Sequence, residues 1–95
     1  MKIVNEYWLQ DNNGKLIELS EREVKIVNIL LIDDFISYKK ICEILYSSYF
    51  NEDYMKAIIA FMSRLNKKIK NSMNIKNRRK IGYYVKKWYF KCIKN

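Results

Sequence analysis

Hydrophobic residues recur at helical spacing in three segments of the chain, and the clearest of these is Asp53–Lys70. Its main apolar residues follow one another at offsets of four, three and four, which places them on one face of a helix; they are Ile58, Met62, Leu65 and Ile69. The other face is expected to point to solvent and carries positive charge without any acid; its members are Lys56, Ile59, Ala60, Ser63, Arg64 and Lys67. The segment therefore predicts a third helix with an apolar side for a core and a cationic side for a partner.

Two shorter helices are predicted upstream, and each begins at a serine. Ser20 and Glu23 have the spacing of a Ser-x-x-Glu capping box, and the pair Asp33-Asp34 ends the helix that follows. The buried side of this helix is expected to carry Val24, Ile26, Val27, Leu30 and Leu31. The second helix is predicted over Ser37–Ser47, and its inward residues are Ile41, Ile44 and Leu45.

Alternating segments at both ends of the chain predict β-strands. Ile3–Leu9 and Lys15–Leu19 flank an Asn-Gly pair at 13–14, which readily takes the positive φ angles of a tight turn, so a hairpin is expected there. After a break at Asn71–Asn74, two strands are predicted over Ile75–Val85 and Lys86–Ile93. A basic tip at 77–80 is followed by a glycine at 82, which is expected to supply a conformation or a close approach that a side chain would block.

The order of these elements predicts an α+β fold in one domain that spans residues 1–95. Residues 1–19 are predicted to form the N-terminal hairpin, residues 20–70 the three-helix core, and residues 75–93 a second β-hairpin at the C-terminal end. The longest apolar run, Ile29–Ile32, is far shorter than a membrane span, and the charged amino terminus lacks a signal-peptide core. We therefore expect a cytoplasmic protein.

Charge is distributed very unevenly along the chain. Residues 1–55 contain all ten acids and six bases, a net charge of −4, whereas residues 56–95 contain thirteen bases and no acid. A cationic half with interleaved aromatic residues is typical of a protein that binds a polyanion. A merely solvated lysine-rich surface is the alternative, but it does not explain why forty consecutive residues lack Asp and Glu.

The residue types needed for enzymatic or metal chemistry are scarce. The chain has no histidine, and its two cysteines, Cys42 and Cys92, lie fifty residues apart without a paired ligand motif, too few ligands for a zinc site. We expect Cys42 to be a small buried hydrophobic residue and Cys92 a partly exposed thiol. The ten carboxylates show no pairing with a nucleophile. We therefore predict no enzyme activity, no catalytic residue, no metal site and no cofactor.

Four segments, taken in order, resemble the OmpR/PhoB-type winged helix-turn-helix DNA-binding domain. Leu19–Leu30 resembles the family's Leu-Thr-x-x-Glu start, and Ile36–Ile41 resembles its Val-Ser-Arg-x-x-Leu second helix. Met62–Ile69 resembles Ile-Ser-x-Leu-Arg-Lys-x-Leu, and Ile75–Val85 resembles the wing that ends in Gly-Tyr. With its short N-terminal hairpin and no preceding receiver domain, the chain looks most like the amino-terminal cytoplasmic domains of ToxR and CadC.

The resemblance implies a DNA-binding transcriptional regulator. The third helix (53–70) would enter the major groove of double-stranded DNA, and the basic wing (77–81) would reach the adjacent backbone or minor groove. The implied DNA-binding residues are Ser37, Tyr38, Lys56, Ala60, Ser63, Arg64, Lys67, Arg78, Arg79 and Lys80. About six phosphate contacts predict a slope of about −5 for log affinity against log salt.

Each side chain is assigned a base or a phosphate contact from its position on the helix and its chemistry. Arg64 is the candidate for a bidentate guanine contact, and Ile59 and Ala60 are candidates for contact with thymine methyl groups. Lys56, Lys67 and the residues at the start of the second helix, Ser37 and Tyr38, are candidates for phosphates. By the same resemblance, the acidic elbow at 46–53 would contact RNA polymerase, and a homodimer is a further candidate assembly.

The sequence also departs from the family pattern. Asn66 stands where an arginine is usual after the leucine of the third helix, and Ala57, Ile59 and Ala60 stand where polar groove-facing residues are usual. An alternative is therefore a winged-helix module for protein interaction or dimerisation, without sequence-specific DNA binding. A membrane is expected as a partner only if the sequence is the soluble part of a longer protein; surface binding by a tail at 86–94 is a weaker alternative.

Overall fold

A computed structural model describes residues 2–5, as backbone only, and residues 8–10, 14–69, 73–78 and 81–85. These residues form an α+β fold with three helices and two small antiparallel sheets, as predicted at that level. The elements, in chain order, are β1 (Lys2–Asn5), β2 (Trp8–Gln10), β3 (Leu16–Glu18), α1 (Glu21–Asp33), β4 (Phe35–Ser37), α2 (Tyr38–Tyr46), a 3₁₀ turn (Glu52–Tyr54), α3 (Met55–Ile69), β5 (Ile75–Arg78) and β6 (Gly82–Val85).

The N-terminal sheet has three strands in the order β1-β2-β3, all antiparallel. The single strand predicted over Ile3–Leu9 is therefore wrong, because the chain reverses between β1 and β2. The reversal pairs Ile3 with Leu9, while Leu9 also faces Ile17 of β3. A straight seven-residue strand would extend beyond the three-residue β3 and leave some of its backbone groups without a strand partner. Because the chain reverses, β1 pairs with β2 instead.

The first two helices begin and end where their capping residues predict. The Ser20 hydroxyl accepts a hydrogen bond from the Glu23 amide at 3.2 Å, and the Glu23 carboxylate accepts one from the Ser20 amide at 2.8 Å, which confirms the capping box. Asp34, at φ 63°, ends α1 in the left-handed conformation. Ser37 caps α2, and Ser47 ends it at φ 52°.

The C-terminal sheet has the strand order β4-β6-β5 and contains a strand that the sequence did not predict. The strand predicted over Ile75–Val85 is wrong, because this segment forms both strands of a hairpin, β5 and β6, joined through residues 79–81. Asn77 and Arg78, predicted for the basic tip, lie within β5 instead. The strand predicted over Lys86–Ile93, and with it Cys92, lies outside the described residues.

One hydrophobic core joins all three helices and both sheets. Helix α3 contributes the four residues predicted from its spacing, Ile58, Met62, Leu65 and Ile69, each at most 1% exposed. The other buried core residues are Leu9, Leu19, Ile26, Val27, Leu30, Ile36, Tyr38, Ile41, Cys42, Leu45, Met73, Ile75, Tyr83 and Val85. Cys42 is buried as predicted. Over the described ranges, every helix is too short or too polar to cross a membrane.

Candidate nucleic-acid interface

The exposed face of α3 is the first part of the candidate interface. As the sequence predicts, Lys56, Ile59, Ala60, Ser63, Arg64 and Lys67 are all exposed. Each of them lies three or four residues from at least one other member, so their side chains form one stripe along the helix. From Lys56 to Lys67 this stripe is roughly 16 Å long, at about 1.5 Å of rise per residue. It carries three cations and no carboxylate.

The two ends of α3 differ in charge. Asn51 caps the 3₁₀ turn that leads into the helix, since its carboxamide oxygen accepts from the Asp53 amide at 2.8 Å. Glu52 and Asp53 in this turn are exposed, while Lys67 and Lys68 lie in the last turn of α3. Both placements suit the helix dipole. They also make the electrostatic potential along the helix increasingly positive toward its C-terminal end.

Lys68 is held by an ion pair rather than presented on the exposed stripe. Its ammonium lies 3.0 Å and 3.3 Å from the two carboxylate oxygens of Glu23, whose side chain is only 10% exposed. Glu23 is the residue that completes the α1 capping box. The pair therefore fixes the C-terminal end of α3 against the start of α1, and it compensates the charge of a nearly buried carboxylate.

Helix α3 is joined directly to the hairpin formed by β5 and β6, which we call the C-terminal hairpin (residues 75–85). The Asn66 carboxamide oxygen accepts a hydrogen bond from the Ile75 amide at 2.9 Å, at the first residue of β5. The Met73 amide donates to the carbonyl of Ile69, the last residue of α3, at 2.9 Å. The start of the hairpin is therefore fixed to the last turns of α3.

The C-terminal hairpin carries the second group of cations. Lys76 and Arg78 on β5 are exposed, and the Arg78 guanidinium lies 5.7 Å from the centre of the Tyr84 ring. This cation–π contact restricts the arginine while leaving its donors available to solvent. Arg79 and Lys80, the other basic residues predicted for the tip, lie outside the described residues.

The start of α2, where Ser37 and Tyr38 are predicted to hold phosphate, is occupied by contacts within the protein. The Ser37 hydroxyl accepts from the Lys40 amide at 3.1 Å. The Tyr38 amide donates to the Ile81 carbonyl at 3.0 Å, and its hydroxyl donates to the Asn77 side chain at 2.9 Å. Tyr38 is only 5% exposed. Its side chain and its amide are thus directed to the C-terminal hairpin, so the prediction of a phosphate contact by Tyr38 is not supported by this geometry.

Burial changes the ionisation of two groups near this junction. The pKa of Tyr83 is raised mainly by burial and further by the neighbouring Tyr38, while a hydrogen bond from Asn77 opposes the rise. Burial also raises the pKa of the Cys42 thiol. Both side chains are therefore held in their neutral forms at physiological pH.

An aromatic surface lies at the connection between α2 and α3. Tyr46 stacks on Tyr54 with ring centres 4.8 Å apart, and the Tyr54 hydroxyl lies 3.4 Å from the Ser48 hydroxyl. Tyr49 is 94% exposed. Together with the exposed Glu52, these residues give the predicted elbow an acidic and aromatic character that differs from the cationic stripe of α3.

Most of the described residues that the sequence predicts as DNA contacts lie on α3 or on the C-terminal hairpin. Lys56, Ala60, Ser63, Arg64 and Lys67 share the α3 stripe, and Arg78 lies on the hairpin that Asn66 joins to it. Asn66 and Asn77 were not predicted as site residues, since contacts between distant segments leave no local signal. Searches against protein-family models, curated proteins and solved structures find no match to this chain.

Proposed function

We propose that this protein is a DNA-binding transcriptional regulator with a winged helix-turn-helix domain. In this proposal α3 enters the major groove, and the C-terminal hairpin acts as the wing on the adjacent backbone or minor groove. The observation that carries it is the acid-free exposed stripe of α3, joined by the Asn66 hydrogen bond to a second cationic element. Two linked cationic elements provide the electrostatic footprint that a duplex requires.

The dimensions of α3 suit this role. Its 15 residues give a length of roughly 22 Å, and a single helix fits a major groove about 12 Å wide. The buried residues on its inner side anchor it to the core, so the outer stripe is presented on a rigid element. Arg64 lies in the C-terminal half of the stripe and is our candidate for reading a guanine.

The charge gradient along α3 favours contact through its C-terminal half. Glu52 and Asp53 precede the helix and would repel phosphates, whereas Arg64 and Lys67 attract them. The C-terminal half is also the part next to the hairpin, because Asn66 bonds to the first residue of β5. We therefore assign Lys67 and Arg78 to phosphates and give Lys56 a smaller contribution.

The test is binding to a short duplex from the protein's own upstream region and to a scrambled duplex, between about 50 and 200 mM salt. We expect a slope of about −5 for log affinity against log salt. Arg64→Ala should cost about 1–3 kcal/mol on the preferred duplex and much less on the scrambled one. Lys67→Ala should weaken binding to both duplexes alike.

Arg22→Ala is the matched control, because it removes the same side chain and charge from an exposed position on α1. If Arg22→Ala weakens binding as much as Arg64→Ala, only net charge matters and α3 is not the reading element. Absence of binding to either duplex at the lowest salt would overturn the proposed function.

A second candidate function, protein interaction or dimerisation through α3, is favoured by one observation. Ile59 is 45% exposed in the middle of the stripe, next to the small exposed residues Ala57 and Ala60. An apolar centre with a polar rim is typical of a protein contact surface. Sedimentation of the wild type and of Ile59→Lys tests it: a dimer that the substitution dissociates, with no duplex binding, would replace the DNA proposal.

A further inference from the structure

Tyr38 lies where α2, β4 and the C-terminal hairpin meet. Its ring stacks on Phe50 and meets Tyr83 edge to face, with both pairs of ring centres 5.8 Å apart. Its hydroxyl donates to Asn77 of β5 at 2.9 Å, and its amide donates to the carbonyl of Ile81 at 3.0 Å. One residue at the start of α2 therefore holds both sides of the hairpin.

The contact with Asn77 joins segments 39 residues apart in the chain. Asn77 is exposed, and the hydroxyl that it binds belongs to a residue only 5% exposed. Arg78 follows directly, so the position of Asn77 determines where the Arg78 side chain begins. Ile81 lies directly before β6, and its amide donates to the Arg78 carbonyl at the end of β5, at 3.0 Å.

We propose that Tyr38 is a positioning residue for DNA binding: its hydroxyl, through Asn77, sets the position of the C-terminal hairpin so that Arg78 can reach a phosphate while α3 lies in the groove. The proposal rests on the proposed function. It also replaces the phosphate contact predicted for Tyr38 with an indirect role. The pairing of β6 with β4 holds one strand of the hairpin, while on β5 the Asn66 bond fixes the start of the strand and the Tyr38 hydroxyl holds it two residues further on.

Tyr38→Phe isolates this role, because phenylalanine keeps the ring contacts with Phe50 and Tyr83 and removes only the hydroxyl. Tyr46→Phe is the matched control. It removes a hydroxyl at the opposite end of the same helix, where the side chain is 40% exposed and forms no hydrogen bond with another described residue. Thermal unfolding of each variant shows that the DNA measurements are made on folded protein.

The first measurement uses the free protein. Hydrogen exchange of the Ile81 and Tyr38 amides should be faster in Tyr38→Phe by about five-fold, the factor expected for the loss of one hydrogen bond, and unchanged in Tyr46→Phe. Equal exchange in Tyr38→Phe and the wild type would overturn the positioning role whether or not the protein binds DNA.

The second measurement is a double-mutant cycle on duplex DNA with Tyr38→Phe and Arg78→Ala. We expect Arg78→Ala to weaken wild-type binding by about ten-fold and binding of Tyr38→Phe by less than two-fold, with a salt slope closer to zero by about 1 in each variant. Fold-changes that multiply, with Arg78→Ala costing the same in both backgrounds, would overturn the inference while leaving the proposed function intact. A wild type that binds no duplex would instead overturn the proposed function, and with it the DNA-positioning role of Tyr38.

Discussion

Gly82 is the position where the smallest possible substitution is expected to have the largest effect. It pairs with Ser37 of β4 on one side and with Arg78 of β5 on the other. A Cβ atom added there would lie 2.1 Å from the Ile36 carbonyl oxygen and 2.8 Å from the Ser37 Cα. Both neighbours are backbone atoms, which a side-chain rotation cannot move. Gly82→Ala must therefore push β6 away from β4.

The size of the effect follows from the distances. Relief of a 2.1 Å contact requires a shift of about 1 Å, which would lengthen hydrogen bonds of ordinary length beyond their useful range. If two or three of the bonds between β4 and β6 are lost at about 1 kcal/mol each, the free energy of unfolding falls by about 2–3 kcal/mol. For a domain of this size the melting temperature should fall by about 10–20 °C.

Gly14 provides the matched control, because its backbone conformation, rather than a close neighbour, favours glycine. Its φ is +83°, and among the residues that the structure describes the nearest atom to an added Cβ is the Gln10 side-chain nitrogen, at 4.0 Å. Gly14→Ala should cost about 1 kcal/mol, the penalty for a left-handed conformation, and Gly14→Asn should cost less because asparagine tolerates that region. At Gly82, where no left-handed φ is involved, Asn should be at least as damaging as Ala.

Urea and thermal unfolding of the four variants measure these differences. The reasoning is refuted if Gly82→Ala unfolds within about 0.5 kcal/mol of the wild type, or if Asn is better tolerated than Ala at Gly82. Under the proposed function, Gly82→Ala should also weaken duplex binding at temperatures where it remains folded, because the same shift displaces the hairpin.

Three further predictions concern stability. Ser20→Ala should lower the free energy of unfolding by about 1 kcal/mol through loss of the α1 cap, measured by urea unfolding; an unchanged midpoint would contradict the capping role. Lys68→Met should lower the free energy of unfolding by about 1–2 kcal/mol, because it leaves the Glu23 carboxylate without its partner cation; an unchanged value would show that the ion pair does not contribute to stability. Because the pKa values of Cys42 and Tyr83 are raised in the folded state, the contribution of these two groups to the free energy of unfolding should be constant from neutral pH up to about pH 9.0, the ordinary thiol pKa, and should be lost as pH rises through the folded values; Tyr83→Phe should weaken that fall above pH 10.0.

The features that the sequence predicts correctly are those set by neighbouring residues. Helix α1 begins at Ser20 because the serine and Glu23 satisfy each other's amides within one turn. The buried face of α3 is also predictable from neighbouring residues, because its apolar residues share one side only if the segment is helical. The exposure of Arg64 and Lys67 follows from the same periodicity.

The features that the sequence does not predict depend on partners far along the chain. Strand β4 is three residues long and exists because β6 pairs with it, with Phe35 opposite Tyr84. No pattern in three residues identifies such a strand. The hydrogen bond between Tyr38 and Asn77 has the same origin, because it joins residues 39 positions apart and no local pattern predicts it.

Asn66 connects the departure from the family pattern to the geometry of the site. Where the resembled family usually has an arginine, this chain has a half-buried carboxamide whose oxygen accepts from the Ile75 amide. An arginine has no acceptor and cannot make that bond. The residue that fixes the hairpin to α3 is therefore unavailable for a charge-assisted DNA contact, and under the proposed function base discrimination rests mainly on Arg64. The expected regulator is one whose affinity depends strongly on salt and whose helix reads few bases directly, with the hairpin held in place to supply the remaining contacts.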